Sequence, residues 1–155
     1  EIYELSETSG RQQRLINLSS RGHVAPGEGV LVGGFVVTGN TPKRVLIRAA
    51  GPGLSGFGVS GALADPFLRL FDHTSALIAR NDNWETPLTA QNGQTAATAV
   101  QLAATAQEAG AFAFMPGSRD AAVLITLAPG LYSAQVSSST SASGVALIEV
   151  YEVIE

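Results

Sequence analysis

The chain contains no cysteine, so it has no disulfide framework, no thiol nucleophile and no thiolate metal site. Charge is scarce: 14% of residues are charged, and 9 basic against 13 acidic residues leave a formal net charge of -4. A nucleic-acid binder needs a basic face to neutralise phosphates, and this balance excludes one. Aromatics make up only 6%, and no apolar run approaches the ~18 residues of a membrane-spanning helix. Glycine and small hydroxylated residues fill the gap, and 155 residues suit one domain with a real core. A single lysine, Lys43, against eight arginines fits a secreted protein, extracellular or at the cell surface. The sequence starts at Glu1 without a charged-then-apolar leader and reads as a mature chain whose secretion signal has been removed.

Short apolar runs bounded by turn residues dominate. They cover 14–18, 29–38, 44–50, 67–72, 75–80, 121–127, 131–137 and 144–154, and each is rich in Val, Ile, Leu or Thr. Runs of this length punctuated by Gly, Pro, Asn and Asp signal strands. Ser19-Ser20-Arg21-Gly22 is expected to end the first. Asp72-His73-Thr74-Ser75 and Ala128-Pro129-Gly130 are expected to close hairpins, the latter with Gly130 at positive φ. Gly33-Gly34 marks an expected bulge or bend. Alanine density and a closing Gly110 predict one short helix over about 97–109. Its small side chains should lay it over a sheet edge or sandwich end without building a core. The pattern as a whole predicts a mainly β chain, an antiparallel sandwich of about eight or nine strands.

Candidate chemistry is thin. A Ser-His-Asp reading draws on His73, Ser118 and Asp120, but no serine sits in a nucleophile elbow, and His23 and His73 read as solvated turn histidines. No catalytic or cofactor-binding residue is therefore assigned, and the chain is read as a non-enzyme. Asp72, Asn81 and Asp82 offer the hard oxygen ligands calcium takes, without the spacing of an EF-hand loop. The glycine-rich stretch 51–58 lacks the Gly-Lys-Ser/Thr ending of a phosphate loop and reads as a mobile surface loop. Trp84 either stacks on a surface glycan or packs over the core edge. Asn17-Leu18-Ser19 is a formal glycosylation acceptor inside an expected strand, so it should go unused.

Asp65-Pro66-Phe67-Leu68-Arg69-Leu70-Phe71-Asp72 followed by 76–82, with the later Pro129-Gly130-Leu131-Tyr132, resembles bacterial pre-peptidase C-terminal-like domains. Segments 14–22, 42–49 and 117–122 are similar to a module repeated in large secreted bacterial surface proteins. The resemblance implies a jelly-roll-like β-sandwich acting as a non-catalytic accessory or surface module. Some relatives bind calcium, but the turn here is Asp72-His73-Thr74-Ser75 where many relatives carry Asn-Gly or Asp-Gly.

The two ends echo each other. Glu1-Ile2-Tyr3-Glu4-Leu5 matches Glu149-Val150-Tyr151-Glu152-Val153 position by position. In the repeated module such a strand closes one copy before the next begins. Residues 1–5 are then either a remnant of a preceding repeat or a strand donated to a neighbouring copy, with 6–13 as a polar connector and 14–155 as the domain. The plainer alternative is two ordinary strands of one sheet. Six of the 13 acidic residues lie within seven positions of an end, so placing the two strands side by side brings repulsion. The leading expectation is a structural subunit joined head to tail to copies of itself, with Glu1, Ile2, Tyr3, Glu4, Leu5, Val150, Tyr151 and Val153 at the contact. The alternative is a monomeric module from a larger multi-repeat protein, binding carbohydrate or calcium through the Asp72 and Asn81–Trp84 loops.

Overall fold

The computed structural model describes residues 16–88, 90–91 and 93–153. Among them the chain forms β1 (Asn17–Val24), β2 (Leu31–Val37), β3 (Lys43–Ala50), β4 (Pro66–Asp72), β5 (Leu77–Asn81), α1 (Ala99–Glu108), β6 (Ala121–Leu127), β7 (Gly130–Ser138) and β8 (Gly144–Val153). Sheet A runs β1-β8-β3-β6 and sheet B runs β2-β7-β4-β5. Every strand pairing is antiparallel. That order is an eight-stranded jelly roll: successive strands cross between the sheets, and only β4 and β5 share one as neighbours in sequence. No helix among the described residues is long and apolar enough to cross a membrane.

Side-chain alternation explains the layers. On β3, Val45, Ile47 and Ala49 point into the sandwich and meet Leu68, Leu70, Ile125, Val136 and Ile148, all buried. Leu46 points the other way, into a second cluster with Trp84, Leu102, Ala106, Ala122 and Tyr151. The helix therefore lies over the outer face of sheet A, not over an edge or end, and it does build a core. Its alanines permit close approach while Leu102 supplies the apolar anchor. Thr98 caps it in a reciprocal box, accepting from the Gln101 backbone N–H at 3.3 Å while its own N–H donates to Gln101 Oε1 at 2.8 Å. Gly110, at φ 74°, turns the chain away just after the helix.

Four local expectations change. Ser19 to Gly22 continue β1, because β8 opposite them is long enough to pair all eight residues. The 128–130 turn carries the chain from sheet A to sheet B, so it closes no hairpin, and Gly130 is not at positive φ. Gly33 and Gly34 pair with β7 in unbroken register; a Cβ on Gly33 would come 3.2 Å from Ile148 Cδ1, so the glycine serves sheet-to-sheet approach. The register shift falls in the β4–β5 hairpin, between Leu70 and Phe71. Finally, 52–57 is a 3-10 helix whose entry is anchored: Asp120, fully buried, accepts from the N–H groups of Gly51 and Gly53 at 2.8 and 3.1 Å.

Candidate functional site

A sandwich has four sheet edges, and two of them here are partly covered by side chains and loop backbone. At β6, the Gln94 side chain behaves as a short mock strand: its Nε2 donates to the Thr126 carbonyl at 2.8 Å and its Oε1 accepts from the Thr126 N–H at 3.0 Å. Four residues earlier on the same edge, Asn81 Oδ1 accepts from the Ala122 N–H at 3.0 Å. The neighbouring β5 edge is met by Gln91, whose N–H donates to the Ile78 carbonyl at 2.6 Å. Unpaired edge groups invite another strand, and these bonds occupy Ala122, Thr126 and Ile78 on the two edges.

The β1 edge is different. β1 pairs with β8 along all eight residues, and no described residue bonds to its other side. Glu152 donates its N–H to the Ile16 carbonyl, which sets the phase of the ladder. By antiparallel alternation, Asn17, Ser19, Arg21 and His23 then direct their backbone groups outward. Asn17, Ser19, Arg21 and His23 are exposed, and the half-buried Leu18 and Leu31 bound the core at this flank.

The residues singled out in the sequence fall as follows. Glu1 to Leu5 lie outside the described residues. Val150 and Tyr151 are buried and Val153 is half-buried, all on β8, whose two edges are already bonded to β1 and β3. They are therefore not an open acceptor edge. His23 lies in β1, exposed, and not in a turn. Ser118 Oγ does donate to Asp120 Oδ2 at 2.7 Å, but His73 sits in the β4–β5 turn. That turn follows Asp72, which pairs with Tyr132 beyond the far end of β6 from Asp120, so no triad assembles.

The calcium candidates do not converge either. Asp72 Oδ1 is occupied within its own turn by the Thr74 N–H, the Thr74 hydroxyl and the Ala76 N–H at 2.8, 2.7 and 3.0 Å. Those bonds, the Thr74 hydroxyl foremost, hold its carboxyl below the usual range. Asn81 is at the other end of β5 with its amide donating to the Asn83 and Thr86 carbonyls at 3.1 and 3.3 Å, and Asp82 accepts from the Ser139 hydroxyl. Among the described residues no cluster of three or more His, Asp or Glu side chains forms. Trp84 is 8% exposed and so takes the packed alternative, not the surface stack.

Sequence reasoning missed a buried polar centre under α1. Arg48, 1% exposed, stands opposite Glu149 in the β3–β8 register. Its Nη1 lies 3.1 Å from Glu149 Oε2, and its Nη2 donates to the Phe112 carbonyl at 2.6 Å. The guanidinium carbon sits 3.9 Å from the Phe114 ring centroid and 4.6 Å from that of Phe112. Burial pulls the guanidinium below its ordinary pKa, against the attraction of Glu149, Tyr151 and Asp120. Tyr151 donates to Glu149 Oε1 at 2.7 Å; burial first, then that bond, pushes its hydroxyl up to about 12. The signal was available as one charge of each sign interrupting two apolar runs, Ile47-Arg48-Ala49 and Ile148-Glu149-Val150.

No family model matches this chain, and no curated protein matches it. Its fold is similar to that of the pre-peptidase C-terminal domain of collagenase from Bacillus anthracis, with a TM-score of 0.49 and 12% identity over 87% of this chain and 89% of that one.

Proposed function

We propose that this chain is a non-enzymatic structural subunit of an extracellular or cell-surface assembly, in which Glu1 to Leu5 of one copy adds as a strand to the β1 edge of the next. The observation that carries this reading is the asymmetry of the edges: β5 and β6 are met by bonds from Gln91, Gln94 and Asn81, while no described residue bonds to the outward backbone groups of Asn17, Ser19, Arg21 and His23 on β1. Main-chain bonds supply affinity in such an addition, and alternate side chains set the register. The acceptor is then Asn17, Ser19, Arg21 and His23, in place of Val150, Tyr151 and Val153. Arg21 stands on that edge as a counter-charge for Glu1 and Glu4, and Ile2 extends the core beyond Leu18. A contact between two different surfaces of identical chains continues into a filament unless the rotation closes a ring.

Light scattering over a dilution series with negative-stain microscopy tests it on three chains: the full chain, a chain lacking residues 1–8, and Arg21→Pro. The full chain should form polymers or rings; the other two should be folded monomers. A full chain that stays monomeric at every concentration, or a truncated chain that still polymerises, overturns the reading.

A further inference from the structure

The helix α1 covers the outer face of sheet A, whereas on the outer face of sheet B the side chains of Val32, Val36, Leu131 and Arg80 are exposed. We propose that this face of sheet B binds a linear acidic polysaccharide, with Arg69 and Arg80 together taking one of its carboxylates. The inference is independent of the strand-addition reading, since this face and the β1 edge belong to different sheets.

Charge selects the anion. Arg69 and Arg80 stand directly opposite each other in the β4–β5 register. Leu68 and Leu70 beside the first, and Ala79 and Asn81 beside the second, are buried, so alternation turns both arginines outward. Like charges at such a pair repel. Arg69 Nη2 donates to Ser137 Oγ at 2.8 Å, and its guanidinium carbon lies 5.2 Å from the Phe67 ring centroid. Among the described residues neither arginine forms an ion pair, and β2, β4, β5 and β7 turn no Asp or Glu onto this face. The acids closest along the chain are engaged elsewhere, Asp72 within its own turn and Asp82 by the Ser139 hydroxyl. An oxyanion between the two guanidinia removes the repulsion and accepts charge-assisted bonds from both.

Shape selects a chain. Gly34 pairs with Ser133, which pairs with Phe71, so two small outward residues lead across the sheet to a half-buried ring. A Cβ on Gly34 would meet nothing within 4 Å. On one side of this trough Val32, Gln135, Arg69 and Arg80 form a row, and on the other stand Val36 and Leu131. Strand geometry sets the two rows about 13 Å apart. The Ser133 hydroxyl and the Gln135 amide suit sugar hydroxyls, and the Phe71 ring suits the apolar face of a pyranose.

Other anionic polymers fit less well. An extended acidic peptide adds to a sheet edge through main-chain bonds, and a sheet face offers side chains alone. An anionic bilayer or a nucleic acid needs a broad basic surface, which two arginines on a chain of net charge -4 do not make.

Isothermal titration of the full chain with tetramers of galacturonate and of mannuronate tests the site. At least one should bind at one per chain, weaken about threefold between about 50 and 200 mM salt, and weaken about tenfold when its carboxylates are methyl esters. Arg80→Ala removes an exposed side chain and Gly34→Phe fills open space above the sheet; both should stay folded by circular dichroism and bind about tenfold more weakly. No binding of either tetramer, an ester that binds as tightly as the acid, or undiminished binding in both folded variants overturns the site. Tetraglutamate that binds as tightly as the uronates overturns the assignment to a glycan.

Discussion

The two flanks of this sandwich are built from the same kind of strand and end differently. On the β5–β6 flank, the loop between β5 and α1 turns back and spends Gln91, Gln94 and Asn81 on edge groups. On the β1–β2 flank the connection is a short turn from Val24 to Leu31, and no described residue folds back over the β1 edge. The long insertion thus covers its own side of the molecule, and its helix covers sheet A on the way.

Breaking the closed flank at its deepest point should have the largest effect. Asn81→Ala strands the Ala122 N–H and removes the donor to the Asn83 and Thr86 carbonyls, and should cost roughly 3 kcal/mol in urea unfolding. Gln94→Ala opens the same edge nearer solvent and should cost about 1 kcal/mol. It should also create a new association, visible by sedimentation even in the chain lacking residues 1–8, because β6 then offers an unpaired edge.

Arg21→Pro sharpens the contrast from the open side. Its N–H faces away from β8, so proline removes no ladder bond there, and the thermal midpoint should shift by less than the equivalent of about 1 kcal/mol while self-association is lost. The smallest effect concerns β8, which β1 shields. Tyr151 keeps its proton in the folded chain up to about 12, whereas the unfolded tyrosine releases it near 10. The folded pKa is the raised one, so this contribution is intact below pH 10 and is lost as pH rises toward 12. Tyr151→Phe should flatten that alkaline decline, as followed by unfolding at pH 9, 10 and 11.

Much of the fold was legible in residues. Ala121–Leu127 is a strand with the same bounds the apolar run gave it, and the Ala-rich segment is a helix because Thr98 and Gln101 cap it locally. Local signals failed where a partner strand decided the outcome. Ser19 to Gly22 look like a turn and become strand because β8 runs opposite them; Gly33-Gly34 looks like a bulge and is instead a place where Ile148 comes close. Asp72 is held within its own turn by Thr74 and Ala76, whereas Asn81 meets Ala122 and Asp82 meets Ser139, partners that spacing along the chain could not supply.

Composition and periodicity determined that this chain is a two-layered β protein with one short helix, because strand alternation, turn residues and helix caps act over a few residues. The echo of residues 149–153 at the start of the chain is likewise a property of sequence alone. Which edges are closed, which face the helix covers, and that Arg48 and Glu149 meet under it were decided by the tertiary structure. Those outcomes depend on strand order and register, which join residues as far apart as Asn17 and Tyr151 through pairings that no local pattern encodes.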